Sequence, residues 1–139
     1  ADALQRDIRC GPILVATSRG RIVGAVYVQW RKSKSWPDRR GGDALYVRRL
    51  VIARRVAGQG VADALLLAVA AIARRHHRAN VRLTSAPLEP MARIYHRLGF
   101  TLVDEVDTGP YSVFRFERQA APFRTAGVHA RIRAQRSGA

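Results

Sequence analysis

Residues 50–61 read Leu-Val-Ile-Ala-Arg-Arg-Val-Ala-Gly-Gln-Gly-Val, an apolar β-type run that breaks into Arg55-x-x-Gly58-x-Gly60 and continues as a helix. Glycine lets a backbone turn tightly and approach a bulky ligand with no Cβ in the way. The first N–H groups of the helix that follows lack intrahelical partners and carry partial positive charge. Strand, glycine turn and helix start together make a cradle for an anion, with phosphate the natural guest. A tight strand-to-helix turn without a ligand is the alternative that the motif alone leaves open. Two other phosphate loops fit less well. No Gly-Lys-Ser/Thr follows at Walker spacing, and Asp63 stands where the last glycine of a dinucleotide fingerprint would be.

The helix is predicted from Val61 through Ala73, closed by Arg74, Arg75, His76, His77 and Arg78. Asp63 in its first turn and bases in its last suit the helix dipole. Apolar residues cover nearly every face, so the helix belongs in a core, and it is far shorter than the roughly 20 residues that span a bilayer. No membrane association is expected.

Downstream, Val81, Arg82, Leu83 and Thr84 read as a short strand. A turn through Ala86, Pro87, Leu88, Glu89 and Pro90 leads to a short helix ending Ile94, Tyr95, His96, Arg97, Leu98, Gly99, Phe100, with Gly99 as a left-handed stop. Taken in this order, the apolar strand, the Arg55-x-x-Gly58-x-Gly60 turn, the long helix, the second strand and Tyr95-x-x-x-Gly99-Phe100 resemble the Gcn5-related N-acetyltransferase (GNAT) family. The resemblance extends back through a hairpin at residues 13–16 and 21–30 and forward to about Glu117. It implies an α/β fold with a mixed, mostly antiparallel sheet, two splayed parallel central strands (residues 44–53 and 81–84) and flanking helices.

The same resemblance implies an acetyl-CoA site and a transfer of acetyl to a primary amine. Backbone groups of Leu50, Val51 and Ile52 would pair with the pantetheine arm, and Arg55, Val56, Ala57, Gly58, Gln59, Gly60, Val61 and Ala62 would hold the pyrophosphate. A backbone donor near a bulge in the strand would stabilise charge on the thioester oxygen. Tyr95 stands where the family places a phenol near the sulfur, as general acid to the departing thiolate; a buried packing aromatic is its other reading.

Two departures from the family pattern stand out. Leu88 replaces an asparagine that often contacts the cofactor, and Pro90 is expected to shift the start of the short helix. The first splayed strand, Tyr46, Val47, Arg48, Arg49, Leu50, carries no carboxylate to take the proton of the amine. Asp43, Asp104, Glu105 and His96 are the substitutes, with Asp43 the best placed; water, or an acceptor that arrives neutral, would also serve.

A chain of 139 residues with 47% hydrophobic residues suits one domain with a real core. The expected division is an acetyltransferase domain over residues 1–118 and a basic, flexible tail over 119–139, in which a helix at 128–135 is conceivable. Residues 1–9 read as the last turns of a helix, and the family's usual N-terminal strand and helices are missing, as in a shortened form or part of a longer polypeptide. Cys10, the single cysteine, excludes an intrachain disulfide and any cysteine cluster for zinc, and the four histidines are scattered, so no metal is expected. Cytoplasm is the default location.

Lysine plus arginine total 25 against 10 acidic residues, a formal +15. Such a field attracts polyanions, the phosphates of the cofactor among them. Much of it lies in the tail and in the connection at residues 31–42, where Trp36 stands among cations. That connection reads as a solvated hairpin loop, with a mobile acceptor loop or a nucleic-acid contact as alternatives. The final hairpin, residues 101–106 and 111–117, would flank the acceptor entrance, with Tyr111 able to line it. Three functions follow: an N-acetyltransferase for a small-molecule, peptide or protein amine; the same core acting on a nucleic-acid-linked amine such as an aminoacyl-tRNA; or a noncatalytic acyl-CoA- or nucleic-acid-binding module. A homodimer is left open.

Overall fold

The apolar run that precedes the glycine turn lies in the middle of a seven-stranded sheet. The computed structural model describes residues 13–121 and the strand at 131–135. Strand β1 (Ile13–Ser18) and β2 (Arg21–Gln29) form a hairpin. Its two-residue turn puts both Arg19 and Gly20 at positive φ, a geometry matched to the twist of paired strands. Then come β3 (Ala44–Ile52), α1 (Val61–Arg75), β4 (Asn80–Ser85), α2 (Glu89–Arg97), β5 (Thr101–Asp107), β6 (Ser112–Gln119) and β7 (Arg131–Gln135).

The sheet order is β5-β6-β4-β3-β2-β1-β7, with β3 and β4 parallel and every other pairing antiparallel. Helix α1 makes the crossover between the two parallel strands that such a pair requires. It lies on one face of β1 to β4 and buries Leu65, Leu66, Val69, Ala70 and Ala73 against Leu14, Val26, Val28, Leu45, Val81 and Leu83. The helix ends as its basic last turn suggests. His77 takes the left-handed conformation, and the Arg78 N–H reaches back to the Ala73 carbonyl at 2.8 Å.

Three expectations are corrected. The boundary set at residue 118 falls inside β6, which runs to Gln119, and Ala120 is a buried core residue whose N–H bonds the Ala79 carbonyl. In the tail, residues 131–135 form neither a loose chain nor a helix but an edge strand along β1, in register from Ile13↔Gln135 to Thr17↔Arg131. The free edge of β1 supplies unpaired backbone groups, and pairing outweighs weak local propensity there. Thirdly, the connection at 31–42 is docked through Trp36, although Arg31, Lys32, Lys34, Asp38 and Arg40 are exposed as expected. Trp36 is 1% exposed and forms a second small core with Ala44 and Tyr46, on the sheet face opposite α1. The readings of residues 1–9 and of Cys10, and the rest of the tail, lie outside the described residues.

Candidate active site

The parallel ladder between β3 and β4 is short. It joins Ala44↔Asn80, Leu45↔Val81 and Tyr46↔Arg82 and then stops, although β3 runs on to Ile52 and β4 to Ser85. On its other edge β3 stays paired with β2 up to Gly24↔Ile52. The register slips by one between Tyr27↔Arg49 and Val28↔Val47, which leaves Arg48 as the extra residue of a β-bulge. A bulge raises local twist and bends its strand, and this one sits where the two parallel strands part. Beyond it, the β4-facing backbone groups of residues 47–52 have no ladder partner among the described residues.

At the end of β3 the Ala53 N–H bonds the Val23 carbonyl at 2.8 Å, and a 3-10 turn, Arg54–Val56, swings the chain over the sheet. Gly58 (φ 79°) and Gly60 (φ 83°) both occupy the left-handed region, so these two glycines are required by the turn itself. A Cβ placed on Gly58 would project into open space. The first bond of α1 runs from the Ala64 N–H to the Gly60 carbonyl, so the N–H groups of Val61, Ala62 and Asp63 have no intrahelical acceptor. No side chain caps this end. Arg55 ties the turn back to β2 through the Ile22 carbonyl at 3.4 Å. Gly24 on β2 lets α1 start close to the sheet: a Cβ there would lie 3.0 Å from Val61 Cγ1.

Tyr95 comes from the short helix α2. Pro90 falls in the first turn, where its missing N–H is not needed, so the helix starts without disruption. The exposed Leu88 serves as N-cap by its carbonyl alone, which accepts from Met91 and Ala92. After Gly99 (φ 87°) the Phe100 N–H returns to the Tyr95 carbonyl at 2.9 Å, fixing the turn. The Tyr95 ring packs on Phe116 and Phe100, at 5.0 and 5.9 Å between centroids, and burial pushes its phenol above the ordinary value of 10.0. Leu50, Ile52, Val56, Ala62 and Tyr95 all border the same core cluster, so sequence segments more than thirty residues apart share one core on the α1 side of the sheet.

The opposite side of the gap is polar and cationic. Arg82, 3% exposed, donates to Glu117 at 2.6 Å and to the Tyr46 hydroxyl at 2.8 Å. Arg115, also 3% exposed, is held by Asp104 and by Asp38 of the docked connection, at 2.7 and 2.6 Å. Both guanidiniums lie against the Trp36 ring, 5.5 and 4.6 Å from its centre. Arg78 completes the clamp by donating to the carbonyls of Trp30, Gly41 and Ala44. Beside it, where the strands part, a cavity of about 180 Å³ is walled by Gln29, Tyr46, Arg48, Arg82 and Thr84.

None of the four substitute bases lines that cavity. Asp104 is the least fit to take a proton, because the hydrogen bonds from Arg115 hold its carboxyl below the ordinary value. Asp43 ends a 3-10 turn, while Glu105 and His96 are exposed on β5 and α2. The Arg82–Trp36–Arg115 contacts and the position of the bulge at Arg48 escape the sequence reading. The available signal was a cation inside each of two apolar runs, Val81-Arg82-Leu83 and Phe114-Arg115-Phe116. Tyr111 is exposed and lines a separate hollow between the final hairpin and the docked connection. Among the described residues no group of three or more His, Cys, Asp or Glu side chains could hold a metal, and no helix is long and apolar enough to cross a membrane.

Comparison with known proteins adds the lineage. The family model for the acetyltransferase (GNAT) domain matches residues 9–102. Among solved structures, a GNAT-family acetyltransferase from Listeria monocytogenes superposes with a TM-score of 0.67 at 19% identity, covering 84% of this chain and 69% of its own. A GNAT-family acetyltransferase from Elizabethkingia anophelis with acetyl-CoA bound superposes with a TM-score of 0.63 at 12% identity, covering 85% and 82%. No curated protein matches the chain.

Proposed function

The chain belongs to the GNAT acetyltransferase family, and from that premise we propose that it transfers acetyl from acetyl-CoA to a primary amine. The observation that carries this reading is the parting of β3 and β4 just beyond Tyr46 and Arg82, next to an uncapped helix start. An acyl-CoA is long, with amides along its arm and a pyrophosphate at one end. The gap offers unpaired strand backbone to the amides, and the glycine turn offers N–H groups to the anion.

Acetyl-CoA supplies an activated acetyl thioester. On the protein side, residues 50–52 orient the arm, and backbone N–H groups from Val56 to Ala62 hold the pyrophosphate, with Arg55 bracing the turn. A backbone N–H beside the bulge donates to the carbonyl oxygen as negative charge builds there. Tyr95 donates its phenolic proton to the leaving sulfur. The phenol, raised by burial, carries its proton at working pH, so the proton is present when the thiolate develops. The amine approaches from the cavity on the opposite face, so that donor and acceptor meet in the gap.

Calorimetric titration with acetyl-CoA of the parent and of the Gly58→Glu/Gly60→Glu variant tests this reading. One-to-one binding, weakened at least about tenfold in the variant by charge and strain at positive φ, is the expected result. Equal binding by both proteins would place the cofactor elsewhere.

A further inference from the structure

We propose that the Tyr46 hydroxyl, on the sheet face opposite α1, is the group through which the acceptor amine loses its proton; the proposal rests on the acetyl-transfer reading above.

Tyr46 stands on the last rung of the β3–β4 ladder, paired with Arg82, so its side chain leaves the sheet where the gap begins. The ring is buried edge-on against Trp36, at 6.5 Å between centroids. Its oxygen accepts from the Arg82 guanidinium at 2.8 Å. Arg82 is itself fixed, with Nε on Glu117 at 2.6 Å and the nitrogen that serves Tyr46 also on the Arg40 carbonyl at 3.2 Å. The charge of Arg82 is therefore answered by Glu117, and what the guanidinium gives Tyr46 is direction. A guanidinium only donates, whereas a phenol both donates and accepts. With Arg82 on the oxygen, the phenolic proton must point elsewhere, and the hydroxyl donates to no described group.

Tyr46 walls the cavity of about 180 Å³ together with Gln29, Ser33 and Thr84. That space holds a few waters at about 30 Å³ each, and these side chains supply the polar partners that an ordered water needs. Asp43, Asp104, Glu105 and His96 do not wall it. Tyr95 borders the core on the α1 side, while Tyr46 belongs to the small core on the other face. Two phenols thus serve the parted strands from opposite faces, one for sulfur and one for nitrogen.

An acceptor that arrives as an ammonium gives a proton to the Tyr46 oxygen while the phenol releases its own to a cavity water. The neutral nitrogen forms the C–N bond to the acetyl carbon and becomes positive, and its second proton leaves by the same route. The C–S bond breaks with its electron pair on sulfur, which takes the proton from Tyr95. Solvent returns a proton to Tyr95, and Tyr46 ends as it began.

Tyr46→Phe removes the hydroxyl and keeps the ring beside Trp36. Acetylation rates of parent and variant are measured with ethylamine, an ammonium at neutral pH, and with trifluoroethylamine, which is neutral there; acetyl-CoA affinity and Tm are measured in parallel. The expected result is a fall of about 100-fold in kcat/KM for ethylamine at unchanged acetyl-CoA affinity, against about fivefold or less for trifluoroethylamine, whose proton leaves without help. A hydroxyl that only supports the structure would lower both rates alike. Equal losses for the two amines, or no loss for ethylamine, overturn the proposal. If Tyr46→Phe loses Tm and acetyl-CoA affinity together, Thr84→Val decides: it takes a water partner from the cavity wall and leaves Tyr46 in place, so ethylamine should lose about tenfold and trifluoroethylamine little. Absence of that selective loss overturns the proposal, as does acetyl-CoA binding by the parent without turnover of either amine. Failure of the parent to bind acetyl-CoA removes the transferase reading itself, and with it this proposal.

Discussion

Gly24→Ala is a one-carbon change on β2 that should reach the cofactor cradle. The added Cβ would meet Val61 Cγ1 at 3.0 Å, Ile52 Cδ1 at 3.1 Å and the Val51 carbonyl oxygen at 3.1 Å. Carbon pairs prefer about 3.5–4.0 Å, so Val61 and Ile52 must give by a few tenths of an ångström, pushing on the start of α1, and the third contact is backbone that moves only with β3. Overpacking of this kind costs about 1–3 kcal/mol. Loss of glycine's freedom in the unfolded chain offsets about 0.4–1 kcal/mol, which leaves a net cost of about 1–2 kcal/mol. For a domain of this size that is a fall in Tm of roughly 3–10 °C. Because the displaced atoms carry the Val61 and Ala62 N–H groups, acetyl-CoA affinity should fall about tenfold as well. Thermal unfolding and calorimetry on Gly24→Ala, Val61→Ala and the double variant measure both effects. Removing Cγ1 should restore much of what Gly24→Ala loses, a coupling that a double-mutant cycle isolates. Parent-like Tm and affinity in Gly24→Ala, or no rescue by Val61→Ala, would refute the claim that close packing of α1 on β2 positions the cradle.

Tyr95→Phe keeps the ring against Phe116 and Phe100, so acetyl-CoA affinity should hold while kcat drops about 100-fold; an unchanged kcat would return Tyr95 to a packing role. Because burial raises the phenol above 10.0, the donor keeps its proton as pH rises, and the parent's rate should show no loss from phenol ionisation until pH exceeds that value. Asp38 behaves in the opposite sense. The hydrogen bonds from Arg115 lower its carboxyl from 3.8 to about 2, so the stability it contributes is present above 3.8 and lost as pH falls through about 2. The Tm difference between the parent and Asp38→Asn should therefore be constant near neutrality, shrink below about pH 4 and close near pH 2; a difference that persisted there would mean that Asp38 acts by shape rather than charge.

Much of this molecule is legible in one dimension because its signals are local. The φ demands of Gly58, Gly60 and Gly99, the apolar content of residues 61–73 and the alternation along β6 each act within a few residues. Their order along the chain was enough to suggest the lineage that the family model shows over residues 9–102. The docked connection failed to show for the opposite reason. Six charged residues flank Trp36 between positions 31 and 40, and local composition argues for solvent. The partner that overrides it, Arg115, is 77 residues away from Asp38. Two buried guanidiniums against one aromatic ring need carboxylates to balance their charge, and these come from Glu117, Asp104 and Asp38, a combination no window of sequence displays.

By itself the sequence determined where the chain turns and where a helix start is left uncapped, because backbone conformation follows from short-range sterics and from which residues can donate to the first turn. The general class of the fold was implied by the resemblance of the order of its motifs to the GNAT family. The tertiary structure decided everything that depends on strands separated in sequence. The Tyr46↔Arg82 end of the ladder, the register slip at Arg48, the burial of Trp36 and the edge pairing of residues 131–135 are matters of register and long-range charge balance. Register is set by which side chains and backbone edges meet across a sheet, and that is known only once the sheet has formed.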